Sequence, residues 1–321
     1  MQNFISYYLI LGVIKMNIVQ PNDKYNSDLL KQNLLDLKKK YPFIELNVVG
    51  YSVLGKSLYS VKLGNGPKKV LYSASIHANE WITSLLLMKF IEDYAIAYQN
   101  NSSIYGTSIK DLFNNVSIFI MPMVNPDGVD LVNDNLNPNS FGYIQASRIA
   151  YSYATIPFPS GWKANINGVD LNLQFPAEWE KAKEIKFSQG FTDPAPRDFV
   201  GYGPLTEPEA LAIYNLALSY NFDLTIAFHT QGGEIYWNFN NINPPRGLQI
   251  AWRFAYASGY VVQDVPYNSS FAGFKDWFIQ DFNKPGFTIE AGLGENPLPI
   301  SQFNQIYREN LPILILGATL A

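Results

Sequence analysis

The chain contains no cysteine among its 321 residues, and this absence limits the chemistry that it can carry. Without cysteine, neither a disulfide framework nor catalysis or metal binding by a thiolate is possible. Histidine is also scarce, since the chain has only two. Any bound metal ion must therefore be held by these histidines together with aspartate or glutamate.

Extended runs of positive charge are absent as well. The formal net charge is −4, and the short basic run from Lys38 to Lys40 closes a segment with the apolar spacing of an amphipathic helix. A solvated helix face explains such a run without a nucleic-acid partner. We therefore expect no binding of nucleic acid.

The apolar N-terminal segment FISYYLILGVI, residues 4–14, is too short to cross a bilayer and lacks the preceding positive residues of a signal peptide. Residues 1–15 are interpreted as an extension or a weak signal-like segment, and a start at Met16 is equally compatible. The protein would be cytoplasmic if it starts at Met16, and exported or in the cell envelope if residues 4–14 act as a signal. No stable membrane insertion is expected. Residues 16–321, with 47% apolar residues in the whole chain, are expected to form one enzyme-sized domain.

Strand-like and helix-like apolar patterns alternate along the chain. The predicted strands lie in residues 43–53, 58–66, 68–75, 116–124, 224–231, 234–239 and 286–292. The predicted helices cover residues 28–40, 81–98, 206–221, 246–258, 271–282 and the C-terminus from 302. This alternation favours an α/β fold with helices on both faces of a mostly buried sheet. The sequence NPDG at 125–128 predicts a turn, and residues 133–203 are expected to be irregular and to form active-site walls.

Both histidines lie at or just after the end of a predicted strand. His77 comes after the strand at 68–75, His229 lies near the end of the strand at 224–231, and Glu80 stands three residues after His77. Since ligands collect at the carboxyl ends of strands in open α/β sheets, these three side chains are candidate zinc ligands that leave a fourth position for water. The alternative is that both histidines are hydrogen-bonded structural residues.

A hydrolytic zinc site also needs a base that takes a proton from water. Glu290 lies near the end of the apolar segment PGFTIEAG, where a carboxylate without a partner would be costly. Glu290 is therefore the candidate base. A core glutamate in a salt bridge is the alternative interpretation, and Glu295 in GENPLP is the less favoured base.

Together these segments resemble the zinc carboxypeptidase family of metallopeptidases. IHANEWIT resembles its zinc-binding segment, FHTQG its third-ligand strand and GFTIE its catalytic-glutamate strand, while NPDG and GVDLN match further landmarks in the same order. DLNLQFPAEWE, APRDFVGYGPLTEPEA, AGFKDWFIQ and GENPLP are similar, more narrowly, to bacterial γ-D-glutamyl-L-diamino acid peptidases, which cut peptidoglycan stem peptides between γ-D-glutamate and diaminopimelate. The resemblance implies a mixed sheet of about eight strands, one Zn²⁺ per chain and a stem peptide or muropeptide as substrate.

The resemblance also implies roles for individual residues. His77, Glu80 and His229 would bind zinc, Glu290 would be the general base, and Asp170 would orient a ligand histidine, although a turn-forming aspartate is the alternative. Lys163 stands where digestive-type members have an arginine that polarises the scissile carbonyl, and Asn172 is retained as a substrate contact.

Two departures from the family pattern affect specificity. Leu173 and Asn79 replace arginines of the family, so the ordinary grip on a C-terminal carboxylate is weakened. Lys275 falls at the side-chain-selecting position and would pair with the distal carboxylate of diaminopimelate, or else be a solvated helix lysine. Tyr267 is the candidate for the family's mobile-loop tyrosine, one residue out of register.

The sequence thus predicts a zinc peptidase acting on the γ-D-glutamyl-diaminopimelate bond. An aspartoacylase-like zinc deacylase of small N-acyl amino acids and an inactive module that binds wall peptides are the alternative hypotheses.

Overall fold

The computed structural model describes residues 17–321, so the predicted N-terminal extension and the candidate start at Met16 lie outside the described residues. Within that range the chain forms an α/β fold around a mixed eight-stranded sheet, as predicted.

The strands are β1 Glu45–Tyr51, β2 Ser57–Leu63, β3 Lys68–Ala74, β4 Ser103–Ile104, β5 Thr107–Ser108, β6 Val116–Met121, β7 Leu224–His229, β8 Glu234–Tyr236, β9 Val261–Gln263 and β10 Gly286–Glu290. The order of the strands in the large sheet is β1-β2-β6-β3-β7-β10-β8-β9, and β4 and β5 form a separate hairpin.

Ten α-helices accompany the sheet within residues 17–321. They are α1 Ser27–Lys40, α2 Ile82–Gln99, α3 Ile109–Asn115, α4 Pro126–Val132, α5 Phe141–Tyr151, α6 Trp179–Ser188, α7 Pro208–Tyr220, α8 Gly247–Ser258, α9 Phe274–Phe282 and α10 Phe303–Thr319. Short 3₁₀ helices cover Ala78–Glu80, Leu171–Leu173, Tyr267–Ser269 and Ile300–Gln302. Within residues 17–321, every helix is too short or too polar to be a candidate membrane span.

The helices cover both faces of the sheet. Because side chains alternate along a strand, Val70 and Tyr72 of β3 enter one core while Leu71 between them enters another. The first core also contains side chains of α1, α2, α8 and α10, and the second contains side chains of α6, α7 and α9. Helix α2 is apolar nearly all round and is almost entirely buried, as expected of a helix enclosed by protein.

The centre of the sheet is parallel, and this arrangement positions the site. β3 pairs in parallel with β6 and β7, and β7 pairs in parallel with β10. The carboxyl ends of β3, β7 and β10 therefore lie at one edge of the sheet. The segments that follow them, which contain the candidate ligands and base, are brought to the same place by backbone hydrogen bonding.

Two local predictions were wrong. NPDG begins helix α4 and is not a simple turn, because the Asn125 side chain accepts a hydrogen bond from the Gly128 N–H and Pro126 occupies the first helical turn. Residues 133–203 are also not wholly irregular, since they contain α5 and α6. Their buried residues recur at helical spacing, at Gly142, Ala146 and Ala150 in α5 and at Trp179, Ala182 and Lys186 in α6. Because most of these residues are small or charged, the apolar pattern in the sequence is weak.

Candidate metal centre

Three buried side chains meet at the edge of the sheet. His229 is the last residue of β7, whereas His77 follows β3 and precedes the 3₁₀ helix that ends at Glu80. This one-turn helix returns the Glu80 carboxylate toward His77, and the parallel pairing of β3 with β7 brings His229 beside them. Ligand atoms of the three residues all lie within 4.8 Å of one another.

The distances in this cluster are slightly shorter than those between the ligands of a tetrahedral metal site. The His77 Nδ1 atom lies 2.9 Å from Glu80 Oε1 and 3.2 Å from His229 Nδ1, and His229 Nδ1 lies 3.0 Å from Glu80 Oε2. Ligands about 2.1 Å from a zinc ion at tetrahedral angles are about 3.4 Å apart. Apart from its 3.0 Å approach to His229 Nδ1, the buried Glu80 Oε2 atom makes no contact with a hydrogen-bond donor in residues 17–321. Two imidazole nitrogens and a carboxylate that face one point in this way fit a zinc ion.

Asp170 occupies the position expected of a residue that orients His77. Its Oδ1 atom lies 3.2 Å from His77 Nε2 and also accepts a hydrogen bond from the Asn172 N–H, while Oδ2 accepts one from the Asp198 N–H. We assign the His77 proton to Nε2, which leaves the Nδ1 lone pair for a metal. The carboxylate thus caps the turn at Asn172 and contacts the histidine at the same time.

The charged groups of the cluster shift one another's pKa. Burial lowers the pKa of His77, but the carboxylates of Glu80 and Asp170 outweigh burial and raise that pKa to about 9, with Lys163 opposing them. For Glu80, burial raises the pKa, but the two histidines and Lys163 hold it well below its usual range. The site is therefore built around a buried anion that requires positive charge, which a divalent cation supplies when it replaces the protons.

Glu290 lies beside this cluster at the end of β10. It is the register partner of His229, lines the same cavity and keeps partial access to it. Burial raises the pKa of Glu290 to about 8, and the nearby Glu80 carboxylate adds to this shift, whereas Lys163 and His77 oppose it. A carboxyl group with a pKa near neutrality can both accept and donate a proton at working pH.

Lys163 is anchored next to the metal ligands. Its carbonyl accepts a hydrogen bond from the Ala78 N–H, and its Nζ atom lies 3.5 Å from Glu80 Oε1. The side chain is mostly buried and lines the cavity. A cation in this place is close enough to the metal position to stabilise negative charge on a substrate oxygen.

The cavity has a volume of about 680 Å³ and contains most of the predicted site residues. Asn172, Lys275 and Glu295 line it together with the metal cluster, whereas Tyr267 does not. The Tyr267 side chain is 62% exposed and its ring packs against Phe271 at 5.4 Å between centroids. The structure therefore does not bring Tyr267 together with the other candidates.

Lys275 lies in the cavity wall but is not solvated. Its side chain is 5% exposed, and its Nζ atom bonds to Asp276 Oδ1 at 2.6 Å and to the Asn238 carbonyl at 2.5 Å. The positive charge of Lys275 is thus balanced by its own neighbour. This pairing weakens its expected attraction for a substrate carboxylate.

Some cavity residues were missed by the sequence analysis. Lys186, Arg197 and Asp198 form one part of the wall, and Tyr236 of β8 lies in another part. The only signal for the first group was the charged pair in APRDF, inside a segment with no periodicity. Nothing in the local pattern indicated that this segment returns to the metal cluster.

Comparisons with known proteins show what this chain is similar to. A family model described as zinc carboxypeptidase matches residues 30–313. The chain is 44% identical over 300 residues to gamma-D-glutamyl-L-diamino acid endopeptidase 1 of Lysinibacillus sphaericus, covering 94% of this chain and 74% of the relative. It is 40% identical over 292 residues to the uncharacterized protein YqgT of Bacillus subtilis, covering 90% of this chain and 76% of that protein.

Solved structures show the same fold. Bovine thrombin-activatable fibrinolysis inhibitor, in complex with tick carboxypeptidase inhibitor, superposes with a TM-score of 0.70 at 18% identity and covers 92% of this chain and 97% of its own. At this identity the likeness concerns the fold alone. The predicted carboxypeptidase-like mixed sheet is confirmed.

Proposed function

Because this chain belongs to the zinc carboxypeptidase family, we propose that it hydrolyses the amide between γ-D-glutamate and meso-diaminopimelate in peptidoglycan stem peptides or muropeptides. The observation that carries this substrate is the 44% identity, along 94% of the chain, to an endopeptidase named for the γ-D-glutamyl-diamino acid bond. A cavity of about 680 Å³ that exposes the cations Lys163 and Arg197 supports a peptide substrate with carboxylates.

Zinc is the cofactor of this family, and His77, Glu80 and His229 would hold it in this chain. When bound by two histidines and a glutamate, zinc lowers the pKa of its water toward roughly 7 and polarises a carbonyl group. Asp170 keeps the His77 ring in the orientation and tautomer that such binding requires.

Glu290 acts as the general base in this proposal. Its carboxylate takes a proton from the attacking water and later gives that proton to the leaving amino group of diaminopimelate. The raised pKa of Glu290, about 8, favours donation of the proton to the leaving amino group. A dication in the adjacent site would lower this pKa toward neutrality, which favours uptake of the proton from water. Its place on a strand next to His229 keeps the base at a constant distance from the centre.

Lys163 stabilises the oxygen of the scissile carbonyl as negative charge develops on it. A lysine ammonium provides a point charge there and lacks the two-pronged geometry of arginine. Its contact with Glu80 keeps the ammonium at the metal centre before substrate arrives.

The test uses two defined stems, L-alanyl-γ-D-glutamyl-meso-diaminopimelate and the same peptide extended by D-alanine, with products identified by mass spectrometry. We expect L-alanyl-D-glutamate from at least the tripeptide, loss of turnover with a chelator, and recovery on adding zinc. Cleavage of the tetrapeptide between the same residues would establish endopeptidase action.

A panel of small N-acyl amino acids assayed in parallel separates the alternatives. Hydrolysis of these compounds without cleavage of either stem would replace the proposal with a deacylase. Stoichiometric zinc and stem binding without any product would indicate a binding module.

A further inference from the structure

Two cations meet one carboxylate in the cavity wall beside the metal centre. Asp198 is shared by both, since its Oδ1 atom lies 2.6 Å from Lys186 Nζ and its Oδ2 atom accepts a 2.6 Å hydrogen bond from Arg197 Nε. One carboxylate cannot neutralise both an ammonium and a guanidinium. The next carboxylate, Asp170, accepts a hydrogen bond from the Asp198 N–H and already contacts His77.

Arg197 is the member of this group that a substrate can reach. Its side chain is 45% exposed, whereas that of Lys186 is only 8% exposed. A guanidinium has five N–H donors, and Arg197 uses only its Nε–H, with no other hydrogen bond to residues 17–321. The terminal nitrogens are thus left as a fork suited to a carboxylate.

Two backbone anchors hold the segment of Arg197 in the cavity wall. The preceding residue, Pro196, accepts hydrogen bonds through its carbonyl from the Lys163 N–H at 2.8 Å and the Ala164 N–H at 2.9 Å. The following residue, Asp198, donates its N–H to Asp170, which contacts His77. Arg197 therefore lies between the segment that carries Lys163 and the carboxylate that orients a metal ligand.

The other cations of the cavity are already paired. Lys275 is balanced by Asp276 and buried, and Lys163 lies against Glu80. The positions at which family members have carboxylate-binding arginines hold Leu173 and Asn79 here. Among the cavity cations in the described part of the chain, Arg197 is the one with an exposed and uncommitted pair of donors.

We propose that Arg197 binds the free α-carboxylate of the γ-linked D-glutamate on the acyl side of the scissile amide. This inference rests on the proposed function. In a γ-glutamyl amide the α-carboxylate is free at the other end of the glutamate carbon chain from the scissile carbonyl, whereas an α-linked residue other than glutamate has no carboxylate at that distance. With Lys163 at the carbonyl oxygen, the neighbouring Arg197 selects for this free glutamate carboxylate.

The experiment compares three zinc-loaded proteins, the parent, Arg197→Gln and Arg197→Lys, on three tripeptide stems. The first stem is unmodified, the second has the glutamate α-carboxylate converted to an amide, and the third has the distal carboxylate of diaminopimelate converted to an amide. Arg253→Gln is the matched control, because this substitution removes the same charge at a residue that is exposed on α8 and does not line the cavity.

We expect Arg197→Gln to lower kcat/KM on the unmodified stem by roughly 10- to 100-fold, the value of a charged hydrogen-bonded pair. It should leave kcat/KM on the α-amidated stem nearly unchanged, and the parent should itself discriminate against that stem by a similar factor. The kcat/KM of Arg197→Lys on the unmodified stem should lie between the values of the parent and of Arg197→Gln. Binding of the same stems is measured by calorimetry in the Glu290→Gln protein, which should not turn them over. Adding Arg197→Gln to this protein should weaken binding of the unmodified stem and leave binding of the α-amidated stem nearly unchanged.

Four results would overturn the inference or the proposed function on which it rests. An equal loss on the unmodified and α-amidated stems would mean that Arg197 only positions the wall, and a loss that disappears on the third stem would place the other carboxylate at Arg197. If the parent cleaves none of the stems, the proposed function itself fails. If the parent cleaves them and Arg197→Gln matches Arg253→Gln, only the role of Arg197 fails.

Discussion

His229 and Glu290 are register partners at the ends of the neighbouring parallel strands β7 and β10. One candidate metal ligand and the candidate base are therefore positioned by the sheet and not by mobile loops. A site built on rigid elements holds its groups more accurately than one built on loops. This relationship underlies the predictions for the catalytic groups.

Glu290→Gln should lower kcat on the tripeptide stem by roughly 100- to 10,000-fold, because the amide cannot take a proton from water. Metal analysis of the variant should still give one zinc per chain, since Glu290 is not among the three clustered ligands. Retention of most of the parent's turnover would show that another group is the base.

Lys163→Ala should lower kcat by roughly 100- to 1,000-fold with a smaller change in KM, because the lost charge acts mainly on the developing oxyanion. Lys163→Arg should retain a substantial part of the activity. Steady-state kinetics on the unmodified stem measure both values. A change confined to KM would instead assign Lys163 to ground-state binding.

Asp170→Asn should weaken zinc binding by roughly 10- to 100-fold, because His77 loses the carboxylate that fixes its tautomer and orientation. Competition with a fluorescent chelator measures the affinity. Asp193→Asn is the matched control, since Asp193 is exposed and lies outside the cavity lining. Equal zinc affinity in the two variants would remove Asp170 from the metal centre.

Glu209 makes stability depend on pH. Burial raises its pKa to about 7, despite hydrogen bonds from the Val53 N–H and Asn165 Nδ2, and the unfolded value is near 4.5. The native state therefore keeps a proton that the unfolded state has lost. The contribution to stability is complete below about pH 4.5 and is lost as the pH rises through about 7, by as much as roughly 3 kcal/mol.

Glu209→Gln should remove this dependence. Apart from a constant offset from changed hydrogen bonding, the variant should gain stability relative to the parent between pH 5 and pH 8. Denaturant unfolding at several pH values measures the difference, with Glu180→Gln, at an exposed site, as the control. A parallel pH dependence of the parent and Glu209→Gln would contradict the assignment.

The sequence was sufficient to predict the fold class and the clustering of His77, Glu80, His229 and Glu290. His229 and Glu290 end apolar strands, and His77 and Glu80 lie in the short segment that follows another. The parallel pairing of these strands brings their carboxyl ends together. Local pattern and tertiary structure agree at these positions. The positions of the strand ends in the sequence were therefore enough to infer that these side chains share one site.

The substrate side of the cavity was harder to predict. Arg197 reaches the site through backbone hydrogen bonds of Pro196 and Asp198 to distant segments, and Lys275 is balanced by its neighbour Asp276. Long-range contacts of this kind produce no periodic pattern of apolar residues in the sequence of an irregular segment. The placement of Tyr267 outside the cavity depends in the same way on how its loop packs.

The central claim is that His77, Glu80 and His229 hold one zinc ion with Glu290 beside it. Anomalous diffraction at the zinc absorption edge, from crystals of the zinc-loaded protein, tests this claim most directly. We predict a single peak about 2.1 Å from His77 Nδ1, His229 Nδ1 and a carboxylate oxygen of Glu80. A peak at other residues, or no peak between these two imidazoles, would contradict the account.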